Sequence, residues 1–145
     1  MKTKEFNNPV ETAIWIALHA HEGQLDKAGN PYILHPLRAA LKLADNEEIT
    51  AAFLHDVVED SEITIDDLKL AGFNDNIIRI VLLLTKKNDD NYDDYINRIK
   101  AYPPAVRVKL ADLEDNMNLM RIKNPEPKDH ERIEKYNKAY EYLKS

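Results

Sequence analysis

The stretch that most constrains the fold is Ala51–Asp60, which reads Ala-Ala-Phe-Leu-His-Asp-Val-Val-Glu-Asp. It is too apolar for a surface loop and predicts a helix that is buried on nearly all sides. Yet it also carries four ionisable side chains, which at helical spacing form one stripe: His55, Asp56, Glu59 and Asp60. Because burying unpaired charge is costly, the stripe needs partners, water or a metal ion. The segment contains no Lys or Arg, so a cation is favoured over the alternative of a solvated acidic face.

The rest of the chain also follows helical periodicity. Apolar residues recur at intervals of three and four, and no segment of useful length alternates as a strand would. Strand is the alternative only for Ile80–Leu84. Helices are predicted over residues 9–21, 37–44, 47–59, 75–84, 92–101, 105–121 and 130–143, with a short one between Thr64 and Gly72. We therefore predict an all-α bundle of about seven or eight helices, forming a single domain over residues 1–145.

Composition removes several classes of function. The chain has no cysteine, which excludes disulfides, thiolate zinc sites and cysteine nucleophiles. No stretch has the apolar length of a membrane span, and the N-terminus lacks a signal-peptide core, so we expect a cytoplasmic protein without a membrane partner. The net charge of −6 argues against a nucleic-acid polymer as partner but does not exclude a small anionic substrate.

Other helices supply further candidate ligands. Asp112 and Asn116 lie one turn apart on a predicted core helix, and His35 stands at the start of a helix that Pro36 opens. Together with two residues of the central stripe, His35 and Asp112 complete a set of two imidazoles and two carboxylates: His35, His55, Asp56 and Asp112. This set suits Mn²⁺, Fe²⁺ or Co²⁺, and also Zn²⁺ or Ni²⁺, better than Ca²⁺ or a structural zinc. It leaves positions open for water and a substrate oxygen.

The same residues, in the same order, resemble the HD superfamily of metal-dependent phosphohydrolases. Four blocks narrow the resemblance to the hydrolase domain of RelA/SpoT enzymes, closest in size to the small stand-alone alarmone hydrolases. The blocks are Ala-His-Glu-Gly-Gln at 20–24, Gly-Asn-Pro-Tyr-Ile-Leu-His-Pro-Leu at 29–37, Phe-Leu-His-Asp-Val-Val-Glu-Asp at 53–60 and Lys-Leu-Ala-Asp-Leu-Glu-Asp-Asn-Met at 109–117. The similarity covers about residues 10–120, and the C-terminal helix at about 130–143 lies outside it.

The resemblance implies a role for each matching residue. His35, His55, Asp56 and Asp112 would hold the metal, typically Mn²⁺. Glu59 and Asp60 would orient or deprotonate the attacking water; the alternative is that they hydrogen-bond the ligand imidazoles. The implied substrate is a small phosphorylated nucleotide, guanosine tetra- or pentaphosphate, which loses its 3′-pyrophosphate. Asn116 would match a residue that lines the nucleotide pocket. Three further contacts are predicted from this chain's own residues: the cations of Lys27 and Arg38, and Tyr32 in the loop before His35.

The chain also departs from the alarmone-hydrolase pattern. Asp26 stands where those enzymes have an Arg that helps to hold the nucleotide, and Leu113 and Asp115 replace an Arg and a His. These changes reduce positive charge where a highly phosphorylated nucleotide needs it, although Lys27, Arg38 and Lys109 compensate in part. Two alternatives therefore stay open: a hydrolase of another nucleotide or small phosphoester, and a non-catalytic metal-bound sensor. The sequence does not decide the oligomeric state.

Overall fold

Residues 6–145 are described here by a computed structural model, and in this part of the chain every regular element is a helix, with no strand. Nine α-helices occur in it: α1 (Pro9–Ala20), α2 (Leu34–Leu41), α3 (Asn46–Leu54), α4 (Val57–Asp60), α5 (Ile65–Leu70), α6 (Asp75–Leu84), α7 (Tyr92–Lys100), α8 (Pro103–Asn116) and α9 (Pro127–Lys144). A 3₁₀ helix, Leu119–Arg121, precedes α9. The predicted all-α class is confirmed, and the strand alternative for Ile80–Leu84 is wrong, since these residues belong to α6.

The helix boundaries follow local chemistry. Asn8 accepts a hydrogen bond from the Glu11 amide, and Pro9 occupies the first turn of α1, where a missing N–H costs nothing. Thr64 begins α5 with a reciprocal capping box, and Asn74 caps α6. Each of these side chains satisfies an amide that has no partner inside its own helix.

Several predicted helices have different bounds in the structure, including the last one, which spans Pro127–Lys144 and not 130–143. The continuous helix predicted over 47–59 is wrong, because α3 ends at Leu54 and α4 starts at Val57. The His55 Nδ1 lies 2.6 Å from the Ala52 carbonyl, the acceptor that the Asp56 amide would use in an unbroken helix. The helix predicted to start after His35 includes that residue, and the one predicted to end at 121 ends at 116.

The core is arranged around α3, which packs against α1, α2, α6 and α8. Its alanines at positions 51 and 52 are fully buried, and such small side chains allow neighbouring helices to approach closely. Half of the residues of α6 are buried as well, including Ile77, Ile80 and Val81, so most of its apolar run belongs to the core, with Leu82 exposed. Across residues 6–145, no helix combines the length and the apolar character needed to span a bilayer.

The two leucines of α5 provide a test of this packing. Leu68 is fully buried, and α5 packs against α6. We expect Leu68→Ala to lower the free energy of unfolding by about 2–5 kcal/mol, through lost burial and a cavity. Leu70 lies on the same helix and is 87% exposed, so Leu70→Ala should change that free energy by less than about 0.5 kcal/mol. Urea unfolding measures both, and equal losses would contradict this packing.

Candidate metal centre and adjoining cavity

Four side chains from three parts of the fold converge on one point. α2 contributes His35, the turn between α3 and α4 contributes His55 and Asp56, and α8 contributes Asp112. Each offers one ligand atom, and the four atoms lie within 4.8 Å of one another. Nitrogen and oxygen ligands bind a divalent ion at about 2.0–2.2 Å, so ligands on opposite sides of it are about 4 Å apart. The cluster therefore has the size and chemistry for one divalent metal ion.

Hydrogen bonds on the outer side of each imidazole fix its orientation. The His35 Nδ1 lies 2.6 Å from an Asp115 carboxylate oxygen, and the His55 Nδ1 lies 2.6 Å from the Ala52 carbonyl. Both partners accept, so each Nδ1 donates. The two Nε2 atoms face inward, 2.8 and 3.0 Å from Oδ1 of Asp112. Such outer hydrogen bonds commonly set the tautomer of a metal-binding histidine.

The two carboxylates also have outer partners. The Tyr32 hydroxyl donates to Oδ2 of Asp56 at 2.6 Å. The largely buried Lys109 ammonium lies 2.8 Å from Oδ2 of Asp112, and the Asn116 amide donates to the other oxygen at 3.3 Å. The cluster is thus surrounded by groups that fix its carboxylates and neutralise part of their charge.

The cluster strongly perturbs protonation. Burial opposes charge on His35, but hydrogen bonds to Asp112 and Asp115 outweigh it and raise its pKa to about 9. For His55, the neighbouring carboxylates likewise overcome burial and raise the pKa well above its usual range. Burial disfavours the charge of Asp56 too, yet the charge of His55 lowers its pKa to about 2. These shifts favour protonated imidazoles beside ionised carboxylates, so that the opposite charges within the cluster partly neutralise one another.

Glu59 and Asp60 lie on α4, one turn beyond the ligands. The Lys86 amide donates to Oε1 of Glu59, and the Gln24 side chain donates to Oδ2 of Asp60 at 3.3 Å. Burial, together with the negative charge of Asp56, raises the pKa of both carboxyls. The alternative in which this pair orients the ligand imidazoles is not what the structure forms, because Asp115 and the Ala52 carbonyl occupy those positions.

A cavity of about 300 Å³ adjoins the cluster and shares His35 with it. All four predicted substrate contacts line this cavity: Lys27, Tyr32, Arg38 and Asn116. Three further lining residues, Arg121, Arg132 and Tyr136, come from the C-terminal part of the chain. A larger cavity of about 750 Å³ between α7 and α9 contains none of the four cluster residues. The smaller cavity is therefore the candidate substrate site.

Sequence reasoning missed the part played by Asp115. It is 3% exposed, and its carboxylate contacts His35, Arg38 and Arg121. The available signal was its spacing, since a residue three positions after Asp112 lies on the same helical face. Asp26, the other notable departure, accepts hydrogen bonds from the amides of residues 28 and 30 and so stabilises the loop before α2.

Comparisons with known proteins agree with this geometry. The HD domain family model matches residues 13–94. A guanosine-3′,5′-bis(diphosphate) 3′-pyrophosphohydrolase of Aquifex aeolicus is 34% identical over 125 residues, which are 78% of this chain and 18% of that protein. The bifunctional (p)ppGpp synthase/hydrolase SpoT of Escherichia coli is 34% identical over 121 residues, 75% of this chain and 17% of that protein. The chain thus spans less than a fifth of the length of these relatives.

The fold also has a solved counterpart. The structure of a metazoan SpoT ortholog described as hydrolysing ppGpp matches with a TM-score of 0.79 at 19% sequence identity. The match covers 97% of this chain and 87% of that one. At this identity the likeness shows a shared fold. It extends the similarity through α8 and α9, beyond the residues that the family model matches.

Manganese binding should release protons. Near pH 7 both inward-facing Nε2 atoms are protonated, given a pKa of about 9 for His35 and a higher one than usual for His55. A cation bound by these atoms displaces the protons, so its apparent affinity should rise with pH until His35 loses its proton at about pH 9. Titration calorimetry with Mn²⁺ in two buffers of different ionisation enthalpy measures the release.

Two histidine substitutions, one at the cluster and one on the surface, test this prediction. His55→Ala should greatly weaken Mn²⁺ binding, whereas His130→Ala removes an exposed imidazole on α9 and should leave both affinity and proton release unchanged. Heats that do not depend on the buffer would show that the imidazoles are already neutral, and would contradict the pKa directions given above.

Proposed function

Because the chain belongs to the HD-domain family, we propose that it is a metal-dependent phosphohydrolase that removes the 3′-pyrophosphate of guanosine tetra- or pentaphosphate. The observation that carries this proposal is the convergence of His35, His55, Asp56 and Asp112 within 4.8 Å beside a cavity. The names of the curated relatives support the same substrate. The chain corresponds to only part of those proteins, so the activity is inferred for this domain on its own chemistry.

We propose Mn²⁺ as the ion that the two imidazoles and two carboxylates hold. A mixed nitrogen and oxygen set without sulfur suits this ion, with Fe²⁺, Co²⁺, Zn²⁺ and Ni²⁺ as alternatives. When bound, such an ion lowers the pKa of a water ligand and neutralises a phosphoryl oxygen. The neighbouring Lys109 and Tyr32 keep the two ligand carboxylates in place.

Glu59 and Asp60 are the proposed acceptors of the proton from the attacking water. Their raised pKa values bring them closer to neutral pH, which makes each a better base than an ordinary exposed carboxylate. The Lys86 amide and the Gln24 side chain orient them. Phosphoryl transfer depends mainly on positioning and charge neutralisation, and these fixed groups contribute to the positioning. Lys27, Tyr32, Arg38 and Asn116 would contact the nucleotide along the cavity.

One observation favours a second candidate, a hydrolase of another nucleotide or small phosphoester. Asp26 places a carboxylate on the cavity wall where alarmone hydrolases have an arginine. Fewer free positive charges favour a substrate with fewer phosphates. The sensor alternative is less well supported, because a protein that only binds its ligand has no need of Glu59 and Asp60 as proton acceptors.

The decisive assay is hydrolysis of guanosine tetraphosphate by the purified protein with Mn²⁺. We expect pyrophosphate as the product, with activity removed by a chelator and by His55→Ala, since both remove the metal. Release of orthophosphate from other nucleotides, with no turnover of guanosine tetraphosphate, would favour the second candidate. Stoichiometric Mn²⁺ binding without turnover of any phosphoester would favour the sensor.

Glu59→Gln tests the proposed base separately. General-base catalysis is worth about 10²–10⁴-fold, so we expect kcat to fall at least about 100-fold while Mn²⁺ affinity is unchanged. Glu62→Gln alters an exposed carboxylate just after α4 and should leave kcat as it is. Full activity in Glu59→Gln would assign the proton transfer to Asp60 alone, and Asp60→Asn would then have to show the loss.

A further inference from the structure

We propose that Arg38 and Arg121 form an anion-binding subsite for a second phosphate or pyrophosphate group of the substrate, one that is not hydrolysed. Under the proposed function, on which the substrate's identity rests, this group is the 5′-diphosphate of the guanosine nucleotide. Neither arginine is a proposed metal ligand or a proposed proton acceptor. Both line the cavity beside the four-residue cluster.

A single buried carboxylate holds the two guanidinium groups together. Nε of Arg38 lies 2.6 Å from Oδ1 of Asp115, and its Nη2 lies 3.2 Å from Oδ2. Nη1 of Arg121 lies 3.2 Å from the same Oδ1, and its Nη2 donates to the Asp115 carbonyl at 2.8 Å. The arginines approach from α2 and from the 3₁₀ helix, so the pair exists only because Asp115 lies between them.

The charges in this group do not balance. Asp115 supplies one negative charge to two guanidinium groups, and it also accepts a hydrogen bond from His35. By contrast, Arg107 on the outer surface of α8 has its own carboxylate, that of Glu48. The side chains of Arg38 and Arg121 are 29% and 26% exposed, so the excess positive charge is accessible from the cavity. Each guanidinium has five N–H donors, and Asp115 uses only some of them.

The position of the pair suits a second group on one substrate. The His35 ring separates the two sites, because its Nε2 faces Asp112 and its Nδ1 faces Asp115. A nucleotide that reacts at the cluster would extend along the cavity past Tyr32 and Asn116 towards the arginines. The two arginines thereby supply positive charge to the cavity, which lacks the arginine that alarmone hydrolases have at the position of Asp26. Bidentate guanidinium groups are well suited to phosphate oxygens.

Binding of GDP and of guanosine, each titrated with and without Mn²⁺, tests the subsite independently of hydrolysis. GDP carries a 5′-diphosphate but no 3′-group, so wild-type protein should bind it at least about tenfold more tightly than guanosine. The preference should persist without Mn²⁺, when the metal cannot hold the diphosphate. Arg121→Gln should reduce it about tenfold, Arg121→Lys should retain part of it, and Arg107→Gln should have no effect.

Several outcomes would overturn the subsite. They are equal affinity for GDP and guanosine, a preference that disappears with Mn²⁺ removal, and a preference that Arg121→Gln and Arg38→Gln both leave intact. The midpoint of unfolding identifies a variant that has lost its fold, and Arg121→Lys then serves as the informative change. If guanosine tetraphosphate is not hydrolysed while the arginine-dependent preference for GDP remains, the proposed function fails and the subsite stands.

Discussion

The structure depends on keeping several charges out of water at one place. His35, His55 and Asp112 are each less than 5% exposed, and a cluster of this kind is stable only when every charge has a partner. The partners come from outside the cluster: Asp115, the Ala52 carbonyl, Tyr32 and Lys109. The helices around them can be understood as the scaffold that brings these groups within hydrogen-bonding distance.

The central helix is broken at this cluster. The Ala52 carbonyl, which would accept a backbone amide in an unbroken helix, lies 2.6 Å from the His55 Nδ1. This hydrogen bond fixes the orientation and tautomer of the His55 ring. A new helix, α4, starts at Val57 and carries Glu59 and Asp60 one turn after His55 and Asp56.

The fold class could be predicted because helical periodicity is a local property of the sequence, and the four converging residues could be predicted because their types suit a metal and their order along the chain resembles the HD superfamily. The break at His55 could not, since the apolar pattern of residues 51–58 continues across it. Asp115 was taken as a loss of positive charge because its contacts with Arg38 and Arg121 join parts of the chain that sequence alone does not place together. Whether a carboxylate repels a substrate or organises arginines depends on such contacts, and these appear only in three dimensions.

The ligands are also widely separated along the chain. His35 and Asp112 are 77 positions apart, and the family model ends at residue 94, before Asp112 is reached. Contacts this distant form only after a large loop has closed, which is slow compared with forming a helix. During synthesis, both histidines of the cluster are made well before α8, which carries Asp112. The cluster can therefore form only once α8 has packed against α2 and α3.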